Sequence, residues 1–145
     1  MPDLIKVESS QTGASKKTNE LGMREMQERA FAARTAQYLL IKAPPASGKS
    51  RALMFIALDK LQNQGIKKVI VAVPEKSIGA SFGTTELKQY GFFSDWNPNP
   101  KYNLCTPGSE RSKVAAFLEF LKSDDTILIC THATLRFAFD GVDEK

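Results

Sequence analysis

The amino-acid sequence predicts an α/β fold with a mostly parallel sheet between layers of helices. Three short apolar runs, at residues 38–41, 69–73 and 126–130, have the length and composition of strands. The segments between them carry apolar residues at helical spacing. Strands that alternate with helices are joined by right-handed crossovers and lie parallel, so this alternation predicts a three-layer architecture.

Length and composition indicate a single globular domain. The 145 residues are 42% hydrophobic, which suffices for one core but not for two full domains. The formal net charge of +4 mildly favours an anionic partner, although many soluble proteins are as basic. Cys105 and Cys130 lack metal-ligand spacing, so we expect reduced thiols and no structural zinc site. No apolar stretch resembles a secretion signal or a membrane span, and we expect a cytoplasmic protein with no membrane partner.

The first part of the chain is polar. Residues 1–20 lack sustained apolar periodicity, and we expect a flexible leader outside the core. Apolar residues at near-helical spacing then predict a helix over residues 21–35, with Thr18 or Asn19 in position to cap it. The folded domain is therefore expected to occupy residues 21–145.

The first predicted strand leads through a loop into a helix. Residues 38–41 are expected to form a buried strand that stops before Pro44 and Pro45, because proline interrupts both helix and ladder pairing. The stretch 50–61 places apolar side chains on one helical face, and residues 63–65 supply a C-cap.

The later part of the chain repeats this alternation. Residues 69–73 are typical of a strand buried on both faces of a parallel sheet. Residues 84–90 fit a short helix, and residues 92–102 have the composition of a loop anchored by Trp96. A helical stripe at residues 114–121 precedes the last apolar run, which predicts another strand.

Residues 43–50, Ala-Pro-Pro-Ala-Ser-Gly-Lys-Ser, match the second half of the phosphate-loop pattern GxxxxGK(S/T). A strand before this loop and a helix after it direct free backbone N–H groups toward a phosphate chain. The Lys49 ammonium would neutralise β- and γ-phosphate oxygens, and the Ser50 hydroxyl would complete the coordination of Mg²⁺. The candidate ATP-binding residues in the loop are Ala46, Ser47, Gly48, Lys49 and Ser50.

These eight residues resemble motif I of superfamily 2 helicases and of the translocating subunits of type I and type III restriction enzymes. The resemblance implies a RecA-like P-loop NTPase that uses ATP and Mg²⁺ to act on nucleic acid, with DNA as the expected track. Ala43 stands where the first glycine of the pattern usually lies. Ala46 replaces the second glycine of the family, so a positive φ there would strain the loop.

Residues 21–27 resemble the adenine-recognition segment of the same family, in which an Arg or Lys precedes a Gln by three residues. Arg24 and Gln27 occupy these positions. A carboxamide can pair with both the N6 amino group and the N7 acceptor of adenine. The alternative is a solvated glutamine on a helix face, and the nearby loop favours the adenine contact.

Two further segments resemble the strand-contacting motifs of this family. Pro74 and Ser77 lie in a segment similar to motif Ia, and Thr131 and Thr134 lie in one of the Thr-x-x-x-Leu kind. Both segments follow predicted strands, where open α/β sheets bind ligands, and the resemblance implies contacts with the nucleic-acid backbone. For the three hydroxyl-bearing residues, helix N-capping is an equally good explanation.

ATP hydrolysis needs a carboxylate pair at the end of another buried strand. The adjacent pair Asp143 and Glu144 lacks a preceding apolar run and resembles a polar end. In the resembling family, an Asp-Glu motif and a second motor domain follow at this point. We therefore expect an amino-terminal portion of a longer ATP hydrolase, with a sheet incomplete on its carboxyl-terminal side, that binds ATP but is inactive alone.

Two alternatives stay open at this stage. One is a small P-loop kinase or another NTPase, and the other is a non-catalytic nucleotide-binding module. Beyond phosphate stabilisation by Lys49, no catalytic residue is assigned, because no nucleophile or carboxylate pattern surrounds His132.

Overall fold

The computed structural model describes residues 4–8 and 18–142 and has an α/β fold. The strands are β1 (Leu4–Glu8), β2 (Tyr38–Lys42), β3 (Val69–Val73) and β4 (Ile127–Thr131). The helices are α1 (Glu25–Ala32), α2 (Lys49–Asn63), α3 (Lys76–Gly79), α4 (Glu110–Lys122) and α5 (His132–Val142). Short 3-10 helices lie at Ala80–Phe82, Lys88–Tyr90 and Pro100–Tyr102. The chain forms two compact units, and Glu86–Trp96 belongs to the first unit with the residues up to Ile66.

The strands pair in parallel, as the sequence predicted. In the first unit, β1 lies beside β2 with Leu4 opposite Tyr38, and in the second unit β3 lies beside β4 with Val69 opposite Ile127. The described strands form two separate pairs instead of one hydrogen-bonded sheet. Strand β1 was not predicted and falls within the proposed leader; the rest of residues 1–17 lies outside the described residues.

The core of the first unit lies between α1, α2 and one face of β2. Its buried members and the β2 residues packed against them are Met26, Ala30, Ala52, Ile56, Leu39 and Ile41. Tyr38 and Leu40, which alternate with these strand residues, are about half exposed, at 50% and 48%. The prediction of a buried strand is therefore wrong for one face of β2, because the described helices α1 and α2 pack against the other face.

An aromatic cluster and an ion pair with a buried carboxylate complete the first unit. The Phe92 ring packs edge-on against Phe55 at 4.7 Å, and Trp96 is fully buried, as expected for the anchor of this loop. The buried Asp59 carboxylate accepts hydrogen bonds from Arg34, Asn63 and Gln64. Burial alone would raise the pKa of Asp59, but these hydrogen bonds and the Arg34 guanidinium together lower it.

The core of the second unit surrounds β4. Every residue of β4 is buried. β3 pairs with one edge, Asn103 forms a parallel bridge to Ile129 on the other, and side chains from α4 and α5 pack against the strand. The core residues packed here are Tyr102, Leu104, Phe117, Phe120, Leu128, Cys130 and Ala138. In β3, by contrast, Val73 is buried whereas Ile70 is 38% exposed. The strand predicted at residues 69–73 is therefore present, but its predicted burial on both faces is wrong, and β4 is the strand that is buried throughout.

Several element boundaries differ from the predictions. Arg24, not Thr18 or Asn19, is the N-cap of α1, because the Asn19 side chain instead accepts hydrogen bonds from the Leu21 and Met23 amides. The helix expected at residues 84–90 is reduced to the 3-10 turn Lys88–Tyr90. Within the described part of the chain, none of the helices has the length and apolar run needed to cross a membrane.

Candidate nucleotide-binding site

The loop between β2 and α2 has the backbone conformation of a tight strand-to-helix turn. Gly48, the N-cap of α2, has φ +92°. Ala46 has φ +61° and is the sole described non-glycine residue with positive φ. The strain anticipated at Ala46 is therefore present, since an L-residue in this region carries a steric cost. The Ser47 hydroxyl donates to the Pro44 carbonyl at 2.6 Å and closes the turn.

Gly48 is fixed by its neighbours as well as by its backbone angles. A Cβ added at this position would overlap the Nε2 atom of Gln27 and lie 3.3 Å from its Cδ. Any larger residue would have to displace this carboxamide. Gly48 is consequently required for close packing between α1 and the loop, independently of any ligand.

Both side chains predicted to recognise adenine hold the loop in place. The Gln27 Oε1 atom accepts from the Arg24 backbone N–H at 2.7 Å, and its Nε2 donates to the Gly48 carbonyl at 3.0 Å. The Arg24 guanidinium donates to the Ala46 carbonyl at 3.3 Å. Gln27 is 2% exposed, so it is not the solvated glutamine of the alternative interpretation. A contact between Gln27 and adenine stays a prediction.

The remaining loop residues present positive charge at the start of a helix. Lys49 is the first residue of α2 and is exposed, and within the described residues its ammonium makes no hydrogen bond or ion pair. Ser50 follows it and is half-buried. The first turn of α2 contains no acidic residue that could compete for an anion. Free amides, the helix dipole and Lys49 therefore act together on any anion placed there.

Magnesium would have one protein ligand at this loop. The Ser50 hydroxyl is an oxygen donor of the type that Mg²⁺ accepts, and phosphate oxygens and water commonly supply the other ligands. In the part of the chain that the structure describes, no group of three or more His, Cys, Asp or Glu side chains could hold a metal ion. Ser50 thus fits a magnesium ion that arrives bound to nucleotide.

The residues predicted to contact nucleic acid divide into an exposed and a buried pair. Pro74 and Ser77 follow β3 and are exposed, and the Ser77 hydroxyl donates to Glu75 Oε2 at 3.5 Å. Thr131 and Thr134 are 6% and 0% exposed, and Thr131 Oγ1 accepts from the Thr134 amide at 3.2 Å in the capping arrangement. Capping accounts for Thr131, and strand contacts by these residues stay a prediction.

Sequence reasoning missed two charged residues beside this buried threonine pair. Glu110 accepts a hydrogen bond from the Thr134 hydroxyl at 2.9 Å. Lys113 is 4% exposed and lies on the same face of α4 as buried Phe117 and Phe120. The spacing of residues 113, 117 and 120 is the helical signal that could have revealed it.

Comparison with known proteins finds sequence similarity to a protein named as a helicase. Over its whole length of 145 residues, the chain shares 65% sequence identity with part of a Bacillus subtilis (strain 168) protein named "Putative ATP-dependent helicase YeeB". The chain spans 24% of that relative's length. No family model and no solved structure matches the chain. The similarity supports a helicase-related region.

Proposed function

We propose that this chain is the ATP-binding part of a helicase-type motor that acts on nucleic acid. The similarity to a protein named as an ATP-dependent helicase supports the general role. The finer proposal is a superfamily 2 helicase or a restriction-enzyme translocase, with a RecA-like domain that includes residues 21–145 and with DNA as the track. A second motor domain would complete the ATP site.

One observation carries the proposal: contacts within the protein fix the shape of the loop before α2. Positive φ at Ala46 and Gly48 turns the backbone, and a hydrogen bond from the Gln27 side chain to the Gly48 carbonyl stabilises the turn. Exposed Lys49 stands at the amino end of a 15-residue helix. This combination suits a polyphosphate, because backbone amides and a lysine at the amino end of a helix all attract negative charge.

Each loop residue has a separate role in this proposal. Backbone amides of residues 46–50 donate to the phosphate chain, and Lys49 neutralises its terminal oxygens. Ser50 contributes its hydroxyl to the Mg²⁺ that accompanies ATP, and the bound ion would neutralise developing charge on the phosphates. Arg24 and Gln27 position the loop. A contact with adenine would use the second N–H and the second lone pair of the Gln27 amide, and it would require this 2%-exposed side chain to become accessible.

The proposed strand contacts lie after β3 and β4. Pro74 and Ser77 are exposed and suit direct contact with a phosphate backbone. Thr131 and Thr134 are buried, and we propose that they act by bracing this region through the Glu110 carboxylate. Replacing the buried pair should therefore disturb folding as well as nucleic-acid binding.

The test is nucleic-acid-stimulated ATP hydrolysis by the intact protein, measured for the parent and two lysine variants. Lys49→Ala should lower kcat by roughly 100-fold or more, because it removes a charge that stabilises the transferring phosphoryl group. Lys67→Ala removes the same charge from another exposed position and should leave the rate unchanged. Equal activity of the two variants would refute the loop assignment. Phosphate transfer to a small acceptor, without stimulation by nucleic acid, would favour the kinase alternative.

A further inference from the structure

Among the described residues of the second unit, one buried amine lacks a hydrogen bond of good geometry, and its polar neighbour is another amine. Lys113 lies in the first turns of α4 and is 4% exposed. Among the described residues, its Nζ atom has no hydrogen-bond partner. Burial of a charged ammonium without a partner is costly, and such groups normally lose their proton or pair with an anion.

The groups around Lys113 leave positive charge in excess. Lys76, the first residue of α3, is close enough to repel it electrostatically, and Glu110 lies one helical turn before it. The Glu110 carboxylate is already engaged by the Thr134 hydroxyl. Burial lowers the pKa of Lys113, the neighbouring Lys76 ammonium lowers it further, and Glu110 acts in the opposite direction. Lys113 therefore has one amine and one carboxylate as its charged neighbours.

The topology brings the two lysines together at the carboxyl ends of β3 and β4. Lys76 begins the helix that follows β3, and a Cβ added to Gly79 in that helix would overlap Cys105. The Cys105 thiol is in turn near both amines, which oppose the rise that burial causes in its pKa. Lys113 lies on the inner side of this cluster and Lys76 on its exposed side.

We propose that Lys113 and Lys76 form a binding site for a phosphate oxyanion. An oxyanion between the two amines would accept hydrogen bonds from both and remove the charge excess. In this site Lys113 forms the buried base, and the exposed Lys76 side chain lies at the opening. One source of such an oxyanion is the phosphodiester backbone of a nucleic-acid strand. This choice rests on the proposed function, since Pro74 and Ser77, the proposed strand contacts, lie in the same segment as Lys76. Free inorganic phosphate is the other source of this chemistry.

The matched variants are two lysines of the same helix. Lys113→Met keeps the length and packing of the buried stem and removes the amine, so the variant should be at least as stable as the parent. Lys122→Met removes an exposed lysine from the end of α4 and serves as the control. Thermal unfolding of both variants checks that binding differences do not reflect a loss of folding.

The probes are inorganic phosphate and an abasic deoxyribose-phosphate oligomer, which presents phosphodiesters without bases. In chain labelled with ¹³C at the lysine ε position, either probe should shift the Lys113 and Lys76 signals. Lys113→Met should weaken binding of the probe that shifts these signals about tenfold, and it should reduce the slope of log K against log salt concentration by about one. Lys122→Met should bind this probe as the parent does.

The outcomes separate this inference from the proposed function. Response to the oligomer supports a nucleic-acid site, and response to phosphate alone supports a free-anion site. Unchanged binding by Lys113→Met would overturn the proposal. The proposal would also be overturned if the Lys113 amine were neutral at pH 7 and neither probe shifted its signal. The neutral amine would then accept a hydrogen bond from the Lys76 ammonium and would need no anion. Neither result alters the ATPase test on Lys49.

Discussion

Replacement of Gly48 by alanine tests how the protein shapes the loop before α2. The added Cβ would overlap Nε2 of Gln27, and the backbone at φ +92° is unfavourable for any L-residue. Gly65 offers a matched position in the same unit, since it has φ +71° but nothing within 4 Å of an added Cβ. Gly65→Ala therefore introduces backbone strain without a clash.

The two substitutions should differ by the cost of displacing the glutamine. A left-handed alanine costs about 1–2 kcal/mol, of which roughly 0.4–1 kcal/mol is offset by the lower entropy of the unfolded chain. Gly65→Ala should thus lower the free energy of unfolding by about 1 kcal/mol. Gly48→Ala also breaks the bond from buried Gln27 to the loop, which adds about 1–3 kcal/mol, for a total of about 2–4 kcal/mol.

Urea unfolding followed by tryptophan fluorescence measures both costs. Trp96 is the single tryptophan of the chain, is fully buried and belongs to the same unit as both glycines. In a Gln27→Ala background the clash is absent, so Gly48→Ala should then cost only as much as Gly65→Ala. Equal costs of the two glycine substitutions in the parent background would refute the proposed role of Gln27.

Three further substitutions test other features of the structure. Ala46→Gly should raise the free energy of unfolding by roughly 0.5–1 kcal/mol in urea, because it relieves a positive φ; a decrease would contradict the strain. Thr134→Val removes a buried hydroxyl that donates to Glu110 and should cost about 1–3 kcal/mol in thermal unfolding followed by circular dichroism, whereas exposed Thr126→Val should be neutral. The pKa of Asp59 is lowered in the folded state, so its ionised form stabilises the protein above the unfolded pKa of 3.8, and this contribution is lost as pH falls through the folded pKa. Asp59→Asn should abolish this part of the pH dependence of the free energy of unfolding in acid. An unchanged pH dependence in the variant would contradict the stabilising role of ionised Asp59.

The strand, loop and helix at residues 38–63 could be predicted because their signals are local. Proline and glycine mark the ends of β2, and the apolar stripe of α2 has helical spacing. Strand β1 could not be predicted in the same way. It has five residues in a polar context, and its register with Tyr38–Lys42 depends on pairing across more than 30 positions of chain.

Burial of polar residues was the harder part of the site to predict. Gln27 and Thr134 are fully buried because each satisfies its hydrogen bonds within the fold, and composition gives no sign of such partners. Lys113 was overlooked for a different reason. Lysine side chains are mostly exposed, so its charge gives no sign of burial, although its spacing from Phe117 places it on the apolar side of α4.

Backbone amide NMR during titration with ATP tests the central claim most directly. The chain is labelled with ¹⁵N, and inorganic tripolyphosphate serves as the matched ligand that lacks adenosine. The amides of residues 46–50 should shift with both ligands, and these shifts should disappear in Lys49→Ala but persist in Lys67→Ala. Shifts that leave residues 46–50 unmoved, or that survive Lys49→Ala unchanged, would contradict a phosphate-binding loop at this position.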